Sequence, residues 1–157
     1  MKTSFIALGL SLLGSTLAAP SAEPVTRQSH HYPYSIGTLS LKRLTDNTFN
    51  IIFYVTRHTD DGTALSSTTC QTSWNPSVPA GAENPAVCAD PEFEFYFPNG
   101  IGNLLDYDIT VSGPDGVATG EIVEGPKYAC GEYTGPIEGV IYECRTTNGG
   151  EFYLPLA

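Results

Sequence analysis

The sequence predicts a small all-β domain, a single antiparallel β-barrel or β-sandwich. Three observations favour this class. Short segments with alternating apolar and polar residues recur along the chain, and turn residues separate them. The chain has 16 glycines and 12 prolines but only 15% charged residues, which is not the composition of a helical bundle. A length of 157 residues is enough for one hydrophobic core.

The first 18 residues have the pattern of a secretory signal peptide. A lysine precedes a short apolar stretch at 5–13, small residues follow, and cleavage is expected after Ala18. The apolar stretch is too short to anchor the chain in a membrane. Residues 19–33 are polar and without period, which predicts a flexible leader ahead of a domain at 34–157. The sequence therefore predicts a secreted, extracellular protein.

Two segments carry the clearest strand patterns. In residues 48–55 the side chains of Phe49, Ile51, Phe53 and Val55 fall on one side, which predicts a central strand. Residues 92–97 alternate between glutamate or tyrosine and phenylalanine, which predicts a strand with one solvated face.

The remaining elements follow towards the C-terminus. Residues 104–112 and 117–123 flank the sequence Gly-Pro-Asp-Gly, which predicts a β-hairpin. Further strands are predicted within 128–130, 137–144 and 151–156. Residues 71–87 contain three prolines and read as a long connection without regular structure, of the kind that is functional or clamped at its ends.

The net charge is −10, and the acidic excess lies in the C-terminal half. Residues 83–157 hold thirteen acidic side chains but only Lys127 and Arg145 as bases. Such a chain repels nucleic acids and anionic membrane surfaces, so neither is expected as a partner. The charge either steers the protein towards cationic proteins or keeps it soluble.

Four cysteines, at positions 70, 88, 130 and 144, are expected to pair in an oxidising compartment. Four cysteines allow three connectivities. Spacing favours two local bridges, Cys70 with Cys88 and Cys130 with Cys144, and leaves the other two connectivities open. A structural role is predicted for both bonds, because no Cys-x-x-Cys sequence occurs.

The segments around these cysteines resemble a known family. Ser-Ser-Thr-Thr-Cys at 66–70, the long loop to Cys88, the phenylalanine strand, Tyr-Ala-Cys-Gly at 128–131 and Tyr-Glu-Cys at 142–144 resemble the fungal family of the Alternaria major allergen. The resemblance covers about residues 34–156. It implies an antiparallel β-barrel or sandwich, a first strand within 35–41 and the two local disulfides.

The resemblance also implies a function. It points to a non-enzymatic protein of allergen-like character that acts in the apoplast of a host plant, as a virulence effector or as an elicitor that the plant perceives. Its implied partner is a plant defence protein of the thaumatin-like class, whose members are often basic. One departure stands out: residues 19–69 contain no cysteine, whereas the allergen carries one there that links two chains. A monomer without a covalent dimer bond is therefore expected.

A small secreted hydrolase is the main alternative function. A ribonuclease is the first kind of hydrolase to weigh. Ribonuclease chemistry needs a general acid, a general base and cations around a phosphate. Of the three histidines, His30 and His31 fall in the leader. His58 precedes Asp60-Asp61-Gly62, where a solvated turn residue is expected, and the turn lacks the later ligands of a calcium loop.

A glycosidase or a cell-wall carbohydrate-binding protein is the other alternative. A glycosidase needs two carboxylates roughly 5–10 Å apart. Glu92 with Glu94, and Asp106 with Asp108, each share one strand face, but acids on a wet face ordinarily keep a strand soluble. Trp74 either presents a binding surface or folds back over the end of the domain. No catalytic residue, cofactor or metal site is predicted.

Overall fold

The computed structural model describes residues 32–75 and 85–157. The predicted signal peptide (1–18), residues 19–31 of the predicted leader with His30 and His31, and the cleavage site after Ala18 lie outside the described residues. Across the described ranges, no helix is long and apolar enough to cross a membrane.

The described ranges form ten β-strands, numbered here in chain order. They are β1 (Tyr34–Leu44), β2 (Phe49–His58), β3 (Ala64–Trp74), β4 (Ala86–Val87), β5 (Glu94–Tyr96), β6 (Asp106–Gly113), β7 (Gly116–Val123), β8 (Tyr128–Glu132), β9 (Val140–Thr146) and β10 (Glu151–Leu154).

The strands form two separate antiparallel sheets. The larger sheet has the order β3-β2-β1-β9-β8, and β10 also pairs with β1. The smaller sheet has the order β4-β5-β6-β7. The sheets do not close into a barrel, so of the two predicted architectures the fold is sandwich-like.

Aromatic side chains fill the space between the sheets. The rings of Phe53 in β2 and Phe95 in β5 meet edge to face with centroids 4.8 Å apart. Trp74 packs against Phe97 with centroids 5.7 Å apart. Ile51, Phe53 and Phe95 are fully buried, as their alternation predicts. The two most regular segments of the sequence therefore supply the centre of the core.

Strand β1 holds the larger sheet together by changing partner. One side of it pairs with β2 along most of its length. The other side pairs with β10 through residues 34–37 and with β9 through residues 40–44. A bulge separates the two registers, and Thr38 within it has a φ of 47°. The first strand that the resemblance implies, at 35–41, therefore lies within a longer element.

Several predicted boundaries are wrong. Residues 71–87 are not one irregular connection, because 71–74 continue β3 and Ala86–Val87 form β4. Strand β3 was missed because its serines and threonines show no apolar alternation. In the predicted strand 92–97 only Glu94–Tyr96 pair, and β9 begins at Val140 instead of residue 137. The hairpin of β6 and β7 is confirmed.

Candidate functional site

Both predicted disulfides are present. Cys70 in β3 bonds to Cys88, directly after β4, so this bond links the larger sheet to the smaller one. Cys130 bonds to Cys144, its direct partner across β8 and β9. No cysteine is left free, and the predicted local pairing is confirmed.

His58 is not the solvated turn residue that the sequence predicts. It ends β2 with only 8% of its surface exposed. Its Nε2 lies 2.7 Å from the Ser35 hydroxyl, and its Nδ1 lies 3.3 Å from the carbonyl oxygen of Gly62. The ring of Tyr153 packs beside it with centroids 5.8 Å apart. The prediction was wrong because β10, far along the chain, supplies part of this environment.

Ser35, His58 and Glu151 form a cluster that has the composition of a hydrolytic triad but not its arrangement. The Ser35 hydroxyl lies between the other two, donating to Glu151 Oε1 and meeting His58 Nε2. In a triad the acid contacts the ring nitrogen away from the serine, whereas Glu151 lies 4.0 Å from that same Nε2. Ser35 is fully buried. The cluster ties β1, β2 and β10 together and presents no accessible nucleophile.

The acidic strands of the smaller sheet carry their carboxylates outward. Tyr107 and Ile109 of β6 point into the core, so Asp106 and Asp108 lie on the outer face. Across β7, Asp108 stands directly opposite Glu121. The shared strand face predicted for Asp106 and Asp108 is confirmed.

We call the outer side of β5, β6 and β7 the acidic face. Its carboxylates are Glu94, Asp106, Asp108 and Glu121, and no lysine or arginine belongs to these three strands. Like charges directly opposite each other on neighbouring strands destabilise a sheet. Within the described residues, these four carboxylates accept one side-chain hydrogen bond, of 2.9 Å, which the uncharged amide of Asn99 donates to Asp108.

Trp74 folds back over the end of the sandwich. It is 7% exposed, and its ring stacks on Phe49 with centroids 5.6 Å apart and planes 18° apart. A groove of about 510 Å³ beside this pair is lined also by Ile101, Leu104 and Arg43. Of the two roles considered for Trp74, the structure favours the structural one.

Sequence reasoning missed a polar clamp between the two sheets. Arg57 Nε and Nη2 each donate a 2.6 Å hydrogen bond to Asp115 in the turn between β6 and β7. This pairing raises the pKa of Arg57. The Tyr34 hydroxyl accepts a 2.8 Å hydrogen bond from the Asp115 N–H, and burial raises the pKa of Tyr34. Asp115 in the predicted turn was the available signal, but its partner could not be read from the sequence.

A second missed pair lies deeper in the core. The hydroxyls of Tyr107 and Tyr128 lie 3.4 Å apart, and the Tyr128 hydroxyl donates to the carbonyl oxygen of Leu104 at 3.2 Å. Burial raises the pKa of Tyr128 to about 12 and moves the pKa of Tyr107 well above its usual value. Both phenols therefore stay protonated at neutral pH and act as structural groups.

Within 32–75 and 85–157, no cluster of three or more histidine, cysteine or acidic side chains has the arrangement of a metal site. Comparison with protein-family models, curated proteins and solved structures finds no match to this chain. The resemblance to the Alternaria allergen family stays a prediction.

Proposed function

We propose that the chain is a secreted, non-enzymatic effector or elicitor-like protein that binds a basic extracellular protein of a host plant through its acidic face. The acidic face is the observation that carries this proposal. Its four carboxylates share one side of the smaller sheet with no base in the same strands.

The placement of Asp108 opposite Glu121 argues for a role outside folding. Facing like charges lower the stability of a strand pair by roughly 0.2–1 kcal/mol. A neutral polar residue at either of these two positions would keep the face equally soluble. A cationic partner would turn this repulsion into attraction, since its lysine or arginine side chains would lie between the two carboxylates.

The arrangement of the polar groups supports binding over catalysis. In the described residues, the set nearest to a hydrolytic triad has a buried serine and a buried histidine, and its partly exposed acid, Glu151, approaches the wrong ring nitrogen. The family resemblance supplies the host and the partner class, a basic thaumatin-like defence protein. The geometry supplies the sign of the charge that the partner must carry.

The test uses two variants that each remove two negative charges. D108N/E121Q changes the acidic face, and E132Q/E138Q changes two exposed glutamates outside it. Each oxidised protein serves as bait in leaf extracellular fluid, and mass spectrometry identifies what is retained. The affinity of the recovered protein is then measured against salt concentration.

The proposal expects one basic protein to be retained by the parent and by E132Q/E138Q, but weakly or not at all by D108N/E121Q. The affinity of the parent should fall as salt rises, because exposed charges are screened beyond about 8 Å at physiological ionic strength. Equal loss in both variants would show that only net charge matters. Retention of no host protein by the parent would overturn the proposal.

A further inference from the structure

A second groove lies on the outer face of the larger sheet and has no role in the proposed function. It has a volume of about 560 Å³, within the usual range for small-molecule sites. Lys42 in β1 with Glu143 and Arg145 in β9 form part of its floor. Ala129 and Gly131 are the outward positions of β8. Because those two residues are small, the floor stays open at the sheet edge.

The wall of this groove is a loop, 133–137, that its own contacts hold in shape. The Tyr133 N–H donates to the carbonyl oxygen of Ile141 at 3.2 Å, and the Tyr133 hydroxyl accepts from the Ile137 N–H at 3.4 Å. A Cβ at Gly135 would clash with that hydroxyl, so a larger residue there would displace the Tyr133 ring from this position. Pro136 and Ile137 give this wall an apolar surface. The groove therefore exists before any ligand binds.

The side chain of Arg145 is exposed on the floor of the groove and makes no hydrogen bond or ion pair to the described residues. The other described bases have partners: Lys42 with Glu143, Arg43 with Asn47, Arg57 with Asp115, and Lys127 with the carbonyl oxygen of Glu151. In a protein of net charge −10, acidic side chains outnumber basic ones, so most guanidinium groups are expected to pair with a carboxylate. The guanidinium of Arg145 instead faces the open groove.

We propose that this groove binds a small organic monocarboxylate with an apolar body. The planar guanidinium of Arg145 matches a carboxylate through two parallel hydrogen bonds. The apolar body lies against Pro136 and Ile137. Glu132 and Glu143 also line the groove, so a dianionic phosphate ester meets more repulsion than a single carboxylate does.

The test is a titration of isotope-labelled oxidised protein followed by amide NMR signals. The probes are benzoate, the uncharged benzamide of nearly the same shape, and phenyl phosphate. The variant is Arg145→Gln, and the matched control is Arg43→Gln, another exposed arginine that lines a different groove. The amide spectrum of each variant also reports whether its fold is intact.

Benzoate is expected to shift the signals of Gly131 and Gly135 with a millimolar dissociation constant. Arg145→Gln should weaken this binding about tenfold or more, since hydrogen bonds between charged groups are the stronger ones, while Arg43→Gln leaves it unchanged. Benzamide and phenyl phosphate should both bind more weakly than benzoate. Equal binding of benzamide, tighter binding of phenyl phosphate, insensitivity to Arg145→Gln or no shift at these glycines would each overturn the assignment.

Discussion

Removal of the Cys70–Cys88 bond offers the sharpest test of how the two sheets are held together. The perturbation is the double variant C70A/C88A, and C130A/C144A is its matched control. The bonds close segments of 18 and 14 residues, for which loop-closure entropy gives about 3 kcal/mol each, with a difference of only about 0.2 kcal/mol. Entropy alone therefore predicts nearly equal losses.

Packing separates the two variants. Cys70 and Cys88 are both buried in the core between the sheets, whereas in the second pair Cys144 is buried but Cys130 is only partly buried. Loss of each buried sulfur adds about 0.5 kcal/mol, so C70A/C88A, which removes two, should lose about 4 kcal/mol, and C130A/C144A, which removes one, about 3.5 kcal/mol. Together the losses come to about 7.5 kcal/mol, which lies within the roughly 5–15 kcal/mol of stability that a domain has. Fully reduced protein should then be largely unfolded or close to it.

The assay is urea unfolding followed by circular dichroism, together with a thermal melt of the parent protein with and without reductant. The free energy of unfolding should fall in the order parent, C130A/C144A, C70A/C88A. A melt that reductant leaves unchanged, or a larger loss in C130A/C144A, would show that the bond between the sheets contributes less to the stability of the domain than the bond between β8 and β9 or than packing alone.

Four further outcomes follow from single features. Thr38→Gly should raise the unfolding free energy by up to about 1 kcal/mol, because a β-branched residue at positive φ is strained; a loss in urea unfolding contradicts this. Tyr34→Phe should cost about 1–2 kcal/mol in the same assay, since an N–H of the β6–β7 turn loses its acceptor; no change contradicts it. D108N/E121Q should be a few tenths of a kcal/mol more stable than the parent at low salt, and the gain should shrink as salt rises; a salt-independent gain argues against charge repulsion. The raised pKa of Tyr128 favours its neutral form in the folded state, so its stabilising contribution is present below pH 10 and lost as pH rises through about 12; tyrosinate absorbance should appear earlier in denaturant than in native protein.

Local pattern was enough to predict the parts of the fold that alternate or turn. Each of these features depends on a pattern of only a few neighbouring residues. Examples are the burial of Phe53, the burial of Phe95 and the hairpin around 113–116. Strand β3 was not predictable in this way. Its serines and threonines form no apolar alternation in the sequence. Its place in the sheet is fixed by pairing with β2 and by the disulfide at Cys70.

Local sequence pattern predicts the candidate site residues only where their placement depends on neighbouring positions in the chain. The outward direction of Asp106 and Asp108 could be predicted, because it depends only on strand alternation. The burial of His58 could not, because Ser35 and Glu151 reach it from strands at opposite ends of the chain. The groove around Arg145 also depends on the pairing of β9 with the distant strand β1, which no local pattern marks.

The change of partner along β1 has a consequence for the order in which the domain is made. Ser35 and Glu151 meet across 116 positions of sequence, so the first half of β1 has no neighbour on that side until the last strand has been synthesised. Such distant pairing slows folding, because a long loop must close before the contact forms. We therefore expect the first half of β1 to lack its β10 partner throughout translation. The larger sheet then forms fully only after residues 151–154 emerge from the ribosome. A ribosome-bound chain that ends before residue 151 should remain sensitive to protease at β1.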